Sequence, residues 1–142
     1  MCAGQDRLAG YRSALEAAGV PYDESLVSVG DFTAAGGYAA ATRLLEQRPD
    51  VDAIFAASDL AAFGVMRAVQ ESGRTVGDDV AVVGFDDIPA AADHVPPLTT
   101  VRQPLAELGT TMTHHLLDRI RGDSQVDRRT VLPVELVQRE TS

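Results

Sequence analysis

The chain has 142 residues, of which 45% are hydrophobic and 23% are charged, so it is long enough for one globular domain with its own core. Its formal net charge is −9, and an acidic domain repels phosphate backbones, so we do not expect it to bind DNA by itself. All 12 basic residues are arginine, which excludes Schiff-base catalysis and a phosphate-loop lysine. Cys2 is the single cysteine, so no disulfide can form within the chain.

Neither a membrane-spanning segment nor a secretory signal is predicted within these residues. No apolar run approaches the roughly 18 residues that a membrane helix needs. The first ten residues include Asp6 and Arg7 and lack the apolar segment of a secretory signal. We therefore expect a cytoplasmic protein with no membrane partner.

The hydrophobic pattern predicts helices that alternate with strands. Helices are predicted over residues 6–18, 34–47, 58–72 and 104–121, and strands over 25–30, 51–57, 79–85, 98–103 and 130–138. Thr33 is predicted to cap the second helix, and Ser58 or Asp59 the third. Loops are predicted over 86–97 and 123–129. Continuous apolar strands between helices favour an α/β fold with a doubly wound, mostly parallel sheet that is covered on both faces.

Polar side chains follow three of the predicted strands. They are Asp31 with Phe32, Ser58 with Asp59, and Asp86 with Asp87. Open α/β sheets bind ligands beyond the carboxyl ends of their strands, and Arg7 on the first helix adds a planar set of donors. Carboxylates and a guanidinium pair well with neighbouring hydroxyls, and an aromatic ring covers the apolar face of a sugar. The pattern therefore predicts a site for a small polyhydroxylated ligand.

Each of these residues also has an interpretation that involves no ligand. The alternatives are helix capping for Ser58 and Asp59, a turn for Asp31 and for the Asp86–Asp87 pair, core packing for Phe32, and a surface ion pair for Arg7. Their shared position at strand ends favours the ligand site.

Catalytic interpretations have less support. Asp86 and Asp87 with Asp59 or Asp31 are a possible Mg²⁺ set, but a phosphoacceptor site of this kind commonly needs a lysine. His114 and His115 are adjacent, so on a helix they point about 100° apart and chelate one metal poorly. No sequence motif of a hydrolase, a metalloprotease or a phosphate-binding loop occurs. We expect no enzyme activity, no metal and no cofactor.

Six segments in series resemble the LacI/GalR family of transcriptional regulators. They are RLAGYRSAL (7–15), GDFTAAGGYAAATRLL (30–45), DAIFAASDLAAFGVMRAVQESG (52–73), DDVAVVGFDDIP (78–89), PPLTTVRQP (96–104) and LPVELVQRETS (132–142). Each match is loose, but together they run in the family's order and cover essentially the whole chain. The resemblance implies a type I periplasmic-binding-protein-like core that binds a sugar or a purine.

The resemblance also assigns residues by position. It implies effector contacts at Arg7, Phe32, Ser58, Asp59, Asp86 and Gln103. Ser58 stands where the family often has asparagine, which weakens its assignment. It implies a homodimer interface that includes Phe63, Met66 and His94.

By the same resemblance, residues 1–98 form most of the C-terminal lobe of the effector-binding core. Residues 99–122 supply a crossover strand and a helix of the N-terminal lobe, and residues 123–142 return to the C-terminal lobe. The core is then incomplete, because a preceding segment with most of one lobe and the helix-turn-helix headpiece that binds operator DNA is expected outside these residues. Apolar surface should remain uncovered, which predicts self-association or marginal stability of the isolated chain.

The expected function is effector binding within a DNA-binding regulator. Effector occupancy would select one angle between the lobes and change operator binding allosterically. The alternative is a sugar-binding protein of a transport system, which shares the fold and the pocket. An enzyme with an acidic Mg²⁺ site is the third hypothesis.

Overall fold

A computed structural model describes residues 3–122 and 129–142. The helices are α1 (Ala3–Ala17), α2 (Ala34–Gln47), α3 (Asp59–Glu71), α4 (Pro89–Asp93) and α5 (Leu105–Ile120), and the strands are β1 (Ala53–Phe55), β2 (Ala81–Asp86), β3 (Thr99–Arg102) and β4 (Glu135–Val137). None of the helices in these ranges combines the length and apolar character that crossing a bilayer requires.

The four strands form one sheet in the order β1–β2–β3–β4. The pairs β1–β2 and β2–β3 are parallel, and β4 pairs with β3 in the antiparallel sense. The predicted α/β fold with a mostly parallel sheet is thus confirmed. Because three neighbouring strands run in the same direction, their carboxyl ends, after Phe55, Asp86 and Arg102, meet at one edge of the sheet.

Local capping explains where the two best-packed helices begin. The Thr33 hydroxyl accepts a hydrogen bond from Gly36 N at 3.0 Å, and α2 starts at the next residue. The Ser58 hydroxyl accepts one from Ala61 N at 3.2 Å, and α3 starts at the next residue. Both predicted N-caps are confirmed, since each side chain satisfies an amide that has no partner within its helix.

Helices α2 and α3 approach each other closely and form the main core with β2. Gly37 lies against the backbone of Ala61, and Gly64 lies against that of Ala34, so a side chain at either glycine would collide with main chain. The buried core comprises Ala41, Leu44, Leu45, Val51, Ala56, Ala61, Ala62, Val65, Met66, Ala68, Val69, Val76, Val80, Val82, Ala91 and Leu98. This packing holds the N-terminus of α3 firmly in place.

Coverage of the sheet differs between its two faces. Val82 and Gly84 of β2 are buried, whereas their neighbours Val83 and Phe85 point to the opposite face and are half-buried. Phe55 of β1 is exposed. The expectation that both faces are covered is therefore met on one face only, as an incomplete core predicts.

Two predicted segments differ in kind from the structure, and the strands predicted over 51–57 and 130–138 are shorter, spanning Ala53–Phe55 and Glu135–Val137. Residues 25–30 do not form a strand; a 3-10 turn spans Glu24–Leu26, because the Asp23 side chain accepts a hydrogen bond from Ser25 N, and no described strand pairs with the residues that follow. The predicted loop 86–97 contains α4, with Pro89 at its start. Most of the predicted loop 123–129 lies outside the described residues.

Helix α5 leaves its large apolar side chains exposed. No residue of α5 is buried, and Ile120 keeps 72% of its surface exposed. Its exposed large apolar side chains are Leu105, Leu108, Met112, Leu116, Leu117 and Ile120. The expected uncovered apolar surface is thus present, while the self-association that it implies stays a prediction.

Candidate functional site

Arg7 of α1 reaches the carboxyl edge of the sheet and is held there on several sides. Its Nη1 atom donates to the Ala57 carbonyl at 2.5 Å. Its guanidinium carbon lies 3.9 Å from the centroid of the Phe85 ring and 5.6 Å from that of Phe32. Cation–π contacts of this kind fix the plane of a guanidinium. Arg7 is therefore oriented before any ligand arrives.

Asp86, the last residue of β2, is the carboxylate of this cluster. Gln103 Nε2 donates to Asp86 Oδ1 at 2.7 Å, and Arg7 Nη2 lies 3.8 Å from the same oxygen. Within the described part of the chain, no group donates to Asp86 Oδ2. Burial raises the pKa of Asp86 above its ordinary value, against the opposing effects of the Gln103 hydrogen bond and the Arg7 charge. Arg7 does lie beside an acidic group, as the ion-pair interpretation expected, but that group is the half-buried Asp86 at the end of β2.

Phe32 lies on the loop before α2, where 41% of its surface is exposed. The core-packing interpretation of Phe32 is therefore wrong. Ser58 Oγ donates to the Phe32 carbonyl at 3.1 Å, which attaches this loop to the N-terminus of α3. Ser58 itself is buried and caps α3, so its contact with this loop is through the Phe32 main chain.

Asp59 has a different position from the one expected of a ligand residue. It is fully buried. Its Oδ2 atom accepts a hydrogen bond from Ile88 N at 2.8 Å, and its Oδ1 atom accepts one from the Thr100 hydroxyl. Both oxygens are thus used within the fold, and no surface remains for an effector. Asp59 thus joins the N-terminus of α3 to Ile88 and to Thr100 of β3 beneath the candidate site.

Of the three residues expected at a dimer interface, two are partly exposed and one is buried. The Phe63 ring stacks on the His94 ring, with centroids 4.6 Å apart and planes inclined by 10°. Both of these residues are partly exposed. Met66 is fully buried in the core, because it lies on the inner face of α3. Met66 therefore offers no surface to a second copy of the chain.

Several residues near the site were not singled out from the sequence. Phe85 precedes Asp86 on β2 and supports Arg7, and its adjacency to the strand-end acid was the available signal. Asp87 was noted as an acid, but its partners Arg102 and Arg139 lie 15 and 52 residues away in the chain. No local pattern connects residues at such separations.

The arrangement suits recognition of hydroxyl groups. A fixed guanidinium donor, a carboxylate acceptor and an amide converge beside two aromatic rings, as a small polar ligand requires. Within residues 3–122 and 129–142, no group of three or more His, Cys, Asp and Glu side chains lies close enough to hold a metal ion. The acids of the possible Mg²⁺ set are instead engaged by arginine, glutamine, threonine and backbone donors.

Comparison with known proteins points to the same class. Residues 2–142 match the family described as a periplasmic binding protein-like domain. The HTH-type transcriptional regulator CelR of Thermobifida fusca is 51% identical over 141 residues, which are 99% of this chain and 42% of that protein. The structure of a CelR–cellobiose complex has a TM-score of 0.95 at 51% identity and is matched over 100% of this chain and 43% of its own.

A more distant structure shows the same fold in a DNA complex. A lac repressor dimer bound to operator and the anti-inducer ONPF has a TM-score of 0.85 at 33% identity, over 98% of this chain and 41% of that one. The chain thus spans about two-fifths of the length of the curated relatives it matches. It belongs to the periplasmic binding protein-like family, in the form found in LacI-family regulators. Its relatives are transcriptional regulators, which are not enzymes.

Proposed function

We propose that this chain is part of the effector-binding core of a LacI-family DNA-binding transcriptional regulator, and that its effector is a sugar. The observation that carries the proposal is the cluster of Arg7, Asp86 and Gln103 beside Phe32 and Phe85 at the carboxyl edge of the sheet. The cellobiose complex of CelR, a relative at 51% identity, supports a sugar over a purine. Relatives named as regulators favour this function over the transport alternative.

The lobe organisation forms part of the proposal. Residues 1–98 and 123–142 contribute to one lobe, and residues 99–122 cross to the other. Helix α5 supports this division, because no residue of α5 is buried and its apolar face needs a packing surface that residues 3–98 do not supply. The effector would then lie between the lobes, with this chain forming one wall of its site.

Assembly and DNA contact follow from the same relationship. We infer a homodimer whose interface includes the stacked Phe63 and His94 rings. With a net charge of −9, this part of the protein is poorly suited to operator DNA, so contact through a separate helix-turn-helix headpiece is the consistent arrangement.

Sugar binding by the protein at its full encoded length tests the proposed function. We expect isothermal titration calorimetry with cellobiose, glucose and ribose to show binding of at least one sugar, and adenine and guanine to show none. Thermal unfolding measured with each compound should show stabilisation by that same sugar, since a ligand bound only to the folded state raises its stability. Binding of a purine alone, or of no compound in the panel, would contradict a sugar effector.

The pH dependence of sugar affinity should report on Asp86. Its pKa lies above the ordinary value of 3.8, chiefly because of burial, and only the ionised carboxylate accepts hydroxyl hydrogen bonds with both oxygens. We therefore expect affinity to fall on acidification, beginning at a higher pH than an ordinary aspartate would produce. In Asp86→Asn the affinity should be weaker and should lack this dependence, as measured by titration between about pH 4 and 8.

The sign of the linked stability change separates this effect from acid unfolding. A raised folded-state pKa means that ionised Asp86 disfavours folding as pH rises through that pKa, so its protonation does not destabilise the fold. Loss of sugar affinity should therefore precede loss of far-UV circular dichroism on acidification. A parallel loss of both signals would argue against Asp86 as the titrating group.

A further inference from the structure

The carboxylate of Asp87 joins the end of β2 to two other segments of the chain. Its Oδ2 atom accepts from Arg102 Nε on β3 at 2.6 Å, and its Oδ1 atom accepts from Arg139 Nη2, just beyond β4, at 2.6 Å. Its side chain is only 8% exposed. Burial by itself would raise the pKa of Asp87, but the hydrogen bonds and charges of Arg139 and Arg102 outweigh it and lower the pKa.

Arg102 and Arg139 make further contacts that strengthen the link between β3 and β4. Arg102 Nη1 lies 3.3 Å from Glu135 Oε2 at the start of β4. Arg139 Nη1 donates to the Leu98 carbonyl at 2.7 Å, and Arg139 N donates to the Thr99 hydroxyl at 2.8 Å. Charge-assisted bonds to a shielded carboxylate are stronger and less screened than exposed ion pairs. We call Asp87, Arg102, Arg139 and Glu135 the Asp87 network.

Asp86 and Asp87 share a peptide and face different groups. Asp86 meets Gln103, whereas Asp87 meets Arg102, so two adjacent acids on one segment contact two adjacent donors on another. Both acids have positive φ angles, 127° for Asp86 and 56° for Asp87, a region that L-residues seldom adopt. Surrounding contacts must hold such a backbone, so a change in the contacts of one residue acts directly on the other.

We propose that Asp87 is a positioning residue that couples effector contact at Asp86 to two segments of the chain, the crossover residues 99–103 and the returning residues 135–139. The inference rests on the proposed function, because it requires Asp86 to face the effector. A sugar hydroxyl that donates to Asp86 Oδ2 changes the contacts of this carboxylate beside Gln103 and shifts the shared peptide. The Asp87 network then moves β3 and the residues after β4 together, and the two segments respond as one unit.

The substitution Asp87→Asn tests the coupling with little disturbance of shape. Asparagine has nearly the same size and tolerates positive φ, whereas alanine would add backbone strain. In the protein at its full encoded length, we expect the sugar dissociation constant to stay within about threefold of the original. The change in operator affinity caused by saturating sugar, which is about 5- to 150-fold for a typical allosteric coupling, should fall to less than about twofold.

Hydrogen exchange without sugar tests the link independently of effector binding. We expect Asp87→Asn to speed amide exchange in both 99–103 and 135–139, and Arg102→Gln to reproduce only part of the effect. The matched control is Glu71→Gln, which breaks the exposed Arg67–Glu71 pair on α3 and should change neither segment nor the operator response.

Three outcomes would decide against the coupling role. They are an unchanged operator response in Asp87→Asn, a loss of response that merely parallels a loss of sugar affinity, and faster exchange confined to residues 86–88. If the unsubstituted protein binds no sugar, the proposed function fails, and the exchange experiment decides by itself whether Asp87 links the two segments.

Discussion

Replacing Arg7 by alanine is expected to weaken sugar binding by roughly 10- to 150-fold, because hydrogen bonds to a charged group contribute about 1.5–3 kcal/mol. The guanidinium is already oriented by Phe85, Phe32 and the Ala57 carbonyl, so little conformational entropy is lost when a ligand binds it. Water that fills the vacated space cannot reproduce this fixed set of donors. Titration calorimetry of the variant at its full encoded length measures the change, and the proposed effect of sugar on operator affinity should be lost with it.

Two further variants separate the position of the guanidinium from its charge. Arg12→Ala is the matched control on the same helix, because Arg12 donates to the Tyr22 hydroxyl at 2.9 Å and stacks on that ring, apart from Asp86. It should bind sugar normally. Arg7→Lys keeps the charge but loses the planar fork, so its affinity should be intermediate. Unchanged affinity in Arg7→Ala would remove this residue from the site.

Replacing Asp59 by alanine is expected to reduce the free energy of unfolding by about 2–5 kcal/mol. The change leaves two buried donors, Ile88 N and the Thr100 hydroxyl, without their acceptor, and each costs about 1–3 kcal/mol when unsatisfied. A loss of this size lowers the melting temperature by roughly 6–15 °C. Differential scanning calorimetry measures it, and urea unfolding gives the corresponding free energy.

The control for this prediction is Asp93→Ala, which removes an exposed carboxylate at the end of α4 and should leave the melting temperature nearly unchanged. Titration at a temperature where the Asp59 variant is still folded should show sugar affinity within a few-fold of the original, because the change reaches Asp86 only indirectly, through the segment at Ile88. A normal melting temperature combined with abolished sugar binding would instead restore Asp59 to the set of direct contacts.

Local structure was largely predictable because its causes are local. Helix α2 spans Ala34–Gln47 as predicted, since Thr33 caps its start and a 3.6-residue apolar period runs along it. Strands, in contrast, depend on hydrogen-bond partners from other parts of the chain. Residues 25–30 look like a strand by composition, yet a strand exists only where a neighbour completes its hydrogen bonds, and none of the described strands lies beside them.

The candidate site was likewise predictable only in part. The carboxyl-edge rule led to Asp86, whereas Phe32 was expected at the end of a predicted strand that does not form. The family resemblance added Gln103. Burial could not be predicted in this way. Ser58 and Asp59 follow a strand end just as Asp86 does, but the packing of α3 buries both of them.

The fold class, the starts of α2 and α3, and the family were available from residue order, because each depends on neighbours within a few positions or on motifs in series. Only the tertiary structure distinguished the two adjacent acids, Asp86 at the candidate site and Asp87 shielded beside it. Asp86 and Asp87 are chemically identical and adjacent, yet one meets Gln103 and Arg7 and the other meets Arg102 and Arg139. The role of a carboxylate is decided by the donors within about 3 Å of it, and those donors arrive from distant parts of the chain.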